Sequence, residues 1–157
     1  MARVAFELPG KMSQVVFDLS ILGKFLAEPV TPEETLKQNL GSSRIQMELL
    51  ICKIQADFVS ALQVFEDKQK FRVDRWVRPE GGGGITCVLQ DGKVFEKAGV
   101  NVSVVHGNLP PPAVAQMRAR GRDFSSSGGT LPFFAAGVSS VIHPKNPFVP
   151  TIHFNYR

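Results

Sequence analysis

A chain of 157 residues, 43% apolar and 20% charged, has the length for one domain with a real core and the composition of a soluble globular protein. Its formal charge of +4 suits an anionic ligand, but Lys and Arg never cluster beyond two or three, and one Trp and one Tyr offer little stacking surface, so nucleic acid is not an expected partner. No apolar run approaches the roughly 20 residues a transmembrane segment needs.

Met1 to Lys11 holds two basic residues, one acidic residue and no secretory apolar core, so no targeting peptide is read there. Gln14 to Ala27 places Val15, Leu19, Leu22 and Phe25/Leu26 at helical spacing, with Ser13 as candidate N-cap and Pro29 as the stop. Residues 1–28 are expected to be a variable helical extension. Thr31-Pro32-Glu33-Glu34 reads as a capping box opening a short helix that ends near Gly41. Ser42 or Ser43 then starts a longer helix, running to about Glu66. Met47, Leu50/Ile51, Ile54, Phe58, Ala61/Leu62 and Phe65 recur every three to four residues along it, a stripe suited to covering a sheet.

Strand patterns follow. Phe71, Val73, Arg75 and Val77 alternate with Arg72, Asp74 and Trp76. Gly81 to Gly84 lacks dinucleotide-fingerprint spacing and precedes a strand, so it is either a loop or bulge, or a close approach of backbone to a ligand or another chain. Asp91-Gly92 between Ile85–Gln90 and Lys93–Lys97 predicts a type I′ hairpin. Ala98-Gly99 predicts a break, and Val100 to Val105 a further strand with Asn101 and Ser103 on one face. Pro110 to Pro112 stops the sheet, and Ala113 to Arg120 predicts a short helix with basic residues at its C-terminal end. Asp123 to Thr130 is a loop, a candidate flap over a pocket. Phe133 to His143 returns to strand, with Gly137 marking a bulge. These patterns make one α+β unit, a mostly antiparallel sheet of five or six strands flanked by helices. Cys52 and Cys87 lack metal-ligand spacing and are expected to be buried free thiols.

The last residues, Ser139 to Arg157, carry the candidate chemistry. Pro144, Pro147 and Pro150 stiffen a loop between two extended runs. Side chains on a strand alternate between faces, so Thr151, His153, Asn155 and Arg157 share one face and Ile152, Phe154 and Tyr156 the other. An imidazole, an amide and a guanidinium in one row could hold and protonate an acidic ligand; an edge strand with a solvated polar face shows the same pattern. The three histidines lack the spacing of a helical metal site, no acidic residue lies near His153 in sequence, and no Ser-His-Asp triad fits the order, so no metal is expected.

Two blocks carry a resemblance: H-P-K-N-P-F-V-P-T-I-H-F-N-Y-R, His143 to Arg157, and R-P-E-G-G-G-G-I-T-C-V-L-Q-D-G-K-V-F-E-K-A-G-V-N-V-S-V-V-H-G, Arg78 to Gly107. From about Pro29 to Arg157 the chain resembles the oxygen-dependent coproporphyrinogen oxidases, and animal members most. The resemblance implies residues 29–157 to be the N-terminal portion of that domain, since family members continue for roughly as long again. It implies conversion of coproporphyrinogen III to protoporphyrinogen IX in haem biosynthesis, with O2 as co-substrate and no metal or organic cofactor. His153 would be the proton donor or acceptor. Ser139, Asn155, Tyr156 and Arg157 would bind substrate, with a planar guanidinium well suited to a carboxylate. Val88, Leu89, Gln90, Asp91, Gly92, Lys93, Val94, Phe95, Glu96 and Lys97 would lie in the homodimer contact, and an exposed hairpin edge would supply its physical rationale. His106 and His143 match family positions without an implied role. The compartment implied is the mitochondrial intermembrane space, with the cytoplasm as alternative. The alternative function is that of a truncated, catalytically incomplete chain serving as dimer partner or tetrapyrrole-binding fragment.

Overall fold

The computed structural model describes residues 19–121 and 131–157. Five strands, β1 (Arg72–Val77), β2 (Gly82–Gln90), β3 (Phe95–Leu109), β4 (Leu131–Pro144) and β5 (Ile152–Tyr156), form one antiparallel sheet in the order β1-β2-β3-β4-β5. The helices are α1 (Glu33–Gln38), α2 (Ser43–Gln63) and α3 (Pro111–Ala119), and a 3₁₀ segment spans Leu19–Lys24. The α+β class with an antiparallel sheet is therefore as the sequence predicts. The expected flap at 123–130 and residues 14–18 of the expected N-terminal helix lie outside the described residues; the described part of that helix forms only the 3₁₀ segment Leu19–Lys24.

One face of the sheet is closed by α2. Alternation on β3 sends Ala98, Val100, Val102 and Val104 to that face, where each is at most 1% exposed. Ile85, Cys87 and Leu89 on β2 and Val138 and Ile142 on β4 join them, and Ile51, Cys52, Val59 and Leu62 of α2 pack on top. Each fully buried aliphatic side chain contributes about 1.5–3 kcal/mol, so this layer is the main stabilising term. The helix is also moored by polar groups. Gln55 donates from Nε2 to the carbonyls of Ile85 (2.8 Å) and Val100 (2.9 Å), tying α2 to two adjacent strands.

The expected capping box does not form. Pro32 precedes α1 and no side chain caps it. Thr31 instead donates from its N–H (2.8 Å) and its hydroxyl (2.6 Å) to Glu48 of α2, which is 1% exposed. The magnitudes explain the choice: a lost N-cap costs about 1 kcal/mol, whereas a buried carboxylate without partners costs several.

The β2–β3 hairpin forms, but not through a two-residue type I′ turn. Within the turn only Asp91 has positive φ, at 56°, and the N–H groups of Asp91 and Gly92 donate to the carbonyls of Glu96 and Phe95, both at 2.9 Å. The longer connection is organised by Glu66, just past α2 and 4% exposed, whose carboxylate accepts the N–H groups of Lys93 (2.6 Å), Val94 (2.9 Å) and Phe95 (2.9 Å). Gly92 lets that carboxylate approach, since a Cβ there would sit 2.5 Å from Glu66 Oε1. Burial pushes the Glu66 carboxyl up, but the three N–H donors outweigh it and hold its pKa below the ordinary value.

Three further expectations are corrected. Ala98-Gly99 does not break the chain: β3 runs 15 residues, because Ala98 is fully buried and Gly99 is paired to Val88 on one side and Val141 on the other. Gly137 lies in regular ladder, and the register shift falls between Phe95 and Lys97. The hairpin also has no free edge of the kind expected, since β1 pairs β2 and β4 pairs β3. Among the described residues, the outermost strands of the sheet are β1 and β5. Cys52 and Cys87 are buried and free as predicted, their thiols pushed up by burial to about 12 and about 11, with smaller contributions from Glu48 and Asp74.

Glu66→Gln tests the turn. A lowered folded-state pKa stabilises the fold above the unfolded carboxyl value of about 4.3 and ceases to do so as pH falls through the lower folded value. Urea unfolding at pH 7 should show the variant less stable by about 1–3 kcal/mol, with the gap closing below pH 4 or so. Equal stability at pH 7 would contradict this role.

Candidate functional site

The site begins with what fixes the face of β5. Phe154 meets Phe58 of α2 edge-on, ring centres 5.2 Å apart at 76°. A one-residue slip would exchange the two faces, so this contact commits His153, Asn155 and Arg157 to the side away from α2. The pairing puts Asn155 opposite Ser139, His153 opposite Val141 and Phe154 opposite Ser140. Neighbouring same-face positions along a strand are about 6.6 Å apart, and directly opposed Cβ atoms about 5 Å apart. Ser139, His153 and Asn155 therefore lie within reach of one small acidic group, and Arg157 follows beside them.

That face is open: no helix of the described residues packs on it, α2 being the helix that lies against β3 and β4. Its cross-strand rows follow from the register. One row reads Asn155, Ser139, Asn101, Thr86, Asp74 from β5 to β1; its neighbour reads Arg157, Gly137, Ser103, Gly84, Trp76; the row on the other side reads His153, Val141, Gly99, Val88, Arg72. Amide, hydroxyl, guanidinium and imidazole groups converge at the β4–β5 end. Two of them suit a carboxylate directly, Arg157 through its planar fork and Asn155 through its amide. Asp74, at the far end, is paired to Arg72 Nε at 3.0 Å.

Of the expected site residues, Ser139, His153, Asn155 and Arg157 are brought together. Tyr156 is not: it sits on the helix side opposite Val138, half-exposed. His106 stands apart as well, beside Gly81, lining a cavity of about 290 Å³ with Arg75, Val77 and Phe134. His143 shares the open face, its Nδ1 3.3 Å from the hydroxyl of Thr151. Asn101 and Thr86 extend the polar row; alternation placed Asn101 on this face, but single polar residues on separate strands give no sequence motif. The glycine run approaches the protein's own chain: a Cβ on Gly82 would lie 2.1 Å from the Val104 carbonyl, on Gly83 2.3 Å from the Trp76 carbonyl, and on Gly84 2.4 Å from the Trp76 ring. Among the described residues no group of three or more His, Cys, Asp or Glu side chains is placed to hold a metal ion, and no helix is long and apolar enough to cross a membrane.

Residues 46–157, which include every residue of this face, match the coproporphyrinogen III oxidase family. The chain belongs to that family. Among curated relatives, the oxygen-dependent coproporphyrinogen-III oxidase of Drosophila melanogaster is 64% identical over 135 residues, covering 85% of this chain and 34% of the relative. The human mitochondrial enzyme is 59% identical over 133 residues, 85% of this chain and 29% of its own length. Coproporphyrinogen-III oxidase 1 of Arabidopsis thaliana, named chloroplastic, is 52% identical over 131 residues, 83% of this chain and 32% of its own. The chain thus spans about a third of the length of these relatives.

Phe154→Ala should cost about 1–3 kcal/mol of stability at this half-buried ring contact. Amide hydrogen exchange across residues 152–156 should accelerate by about tenfold or more while β2 and β3 stay protected. Unchanged exchange in β5 would show that the ring does not set its face.

Proposed function

We propose that this chain supplies the carboxylate-holding and proton-transferring face of an oxygen-dependent coproporphyrinogen III oxidase. Its reaction is oxidative decarboxylation of coproporphyrinogen III to protoporphyrinogen IX in haem biosynthesis. The observation that carries the reading is the gathering of Ser139, His153, Asn155 and Arg157 on one open face within the family-matching segment. Each propionate arm, –CH2–CH2–COOH, reacts with one O2 to give –CH=CH2, CO2 and H2O2. Two arms react, and two O2 accept the electrons and protons. The electron-rich pyrrole lets O2 act without a metal or organic cofactor.

In this reading Arg157 forms parallel hydrogen bonds to a propionate, and Asn155 and Ser139 donate to the same or the neighbouring carboxylate. His153 exchanges a proton with the reacting arm or pyrrole, a task suited to imidazole near neutral pH. Positioning and proton transfer are then what the protein contributes. Homodimerisation through the segment Val88 to Lys97 belongs to the proposal too; since both hairpin strands are paired on their outer sides, the exposed side chains of Gln90, Asp91, Lys93, Val94, Glu96 and Lys97, not a strand edge, would meet a partner. Animal relatives named mitochondrial support a mitochondrial location, with the intermembrane space as the finer expectation.

The test is aerobic incubation of the purified chain with coproporphyrinogen III, following the divinyl product. His153→Ala should lower turnover by about 10²-fold or more with substrate binding retained, and Arg157→Lys should act chiefly on KM. Wild-type turnover in His153→Ala would overturn the proton role. Binding without turnover by the unaltered chain would favour the second reading, a tetrapyrrole-binding or dimer-partner unit.

A further inference from the structure

The row Trp76, Gly84, Ser103, Gly137, Arg157 crosses all five strands and has an unusual profile. Two glycines flank the central serine, and each lies under a long side chain from an edge strand. On β1, Trp76 folds inward over Gly84; a Cβ there would sit 2.4 and 2.6 Å from its ring carbons. Its Nε1–H donates to Thr86 Oγ1 at 3.2 Å, which satisfies the indole and leaves its apolar ring as the part still on offer, 38% exposed. Just past the end of β5, Arg157 lies over Gly137, where a Cβ would come within 2.6 Å of its Cγ. Ser103 between them has no cross-strand side chain on either side.

Strands about 4.8 Å apart put the two edges roughly 19 Å apart. Each overlay covers about one strand spacing, leaving an opening roughly 10 Å wide above Ser103. Asn101, Thr86 and Ser139 border it on one side and Val105, Ala135 and Gly82 on the other, so one margin is polar and the opposite one apolar. The one carboxylate on the bordering rows, Asp74, is paired to Arg72. An aromatic wall, a cationic wall and one polar margin fit a neutral heteroaromatic ring with an anionic carboxylate arm.

We propose that Trp76 and Arg157, laid inward over Gly84 and Gly137, wall a slot floored by Ser103 that seats one propionate-bearing pyrrole of the tetrapyrrole. This rests on the family reading above and adds Trp76, Ser103, Gly84 and Gly137 to the substrate surface. The indole packs on the pyrrole, Arg157 takes the carboxylate, and the absence of side chains at 84 and 137 lets both walls stand where they do.

Coproporphyrin III, the oxidised tetracarboxylate, serves as an unreactive probe, with binding to the chain read from its visible absorption band and folding checked by circular dichroism. Trp76→Ala should weaken binding about tenfold, Trp76→Phe should restore most of it, and Ser103→Phe should abolish it by filling the slot. Should Ser103→Phe fail to fold, the Trp76 pair decides alone. Wild-type affinity in folded Trp76→Ala and Ser103→Phe would overturn the slot while leaving the family reading intact. No binding by the unaltered chain would overturn both.

Discussion

The structure turns on the closure of one sheet face by α2. Once Ile51, Cys52, Val59 and Leu62 cover Val100, Val102 and Val138, period-two alternation leaves every intervening residue on the far side, with no freedom to choose. The polar rows on that side follow from the core rather than from any local motif. Gln55 on the sheet carbonyls and Phe58 on Phe154 keep the alignment from slipping.

Two buried carboxylates set the chain around this layer. Glu48 draws the Thr31 backbone and hydroxyl onto α2, and Glu66 gathers three N–H groups at the tip of the β2–β3 hairpin. Each links segments 17 to 29 residues apart. They occupy positions where the bare helical pattern would place polar surface, and their ordered partners make them tolerable inside.

Much of this was legible in the sequence. The alternation from Thr151 to Arg157 placed His153, Asn155 and Arg157 on one face correctly, and the hairpin and the sheet-covering helix were visible as patterns. The misses share a physical cause: a distant partner overrode a local signal. Glu48 took Thr31 from its capping box, Glu66 reshaped the Asp91-Gly92 turn, and pairing on both sides carried β3 through Gly99. Tyr156 was grouped with its sequence neighbours although its face points to the helix. The glycines at 84 and 137 could not be understood until Trp76 and Arg157 were seen lying across them.

The central claim is that the face away from α2 receives the tetrapyrrole. Nuclear Overhauser contacts from bound coproporphyrin III to the protein test it most directly. The account predicts contacts to the methyls of Val88 and Val141 and to the rings of Trp76 and His153, and none to Val100, Val138 or Phe58. Contacts confined to the helix side, or to the cavity beside His106, would contradict it.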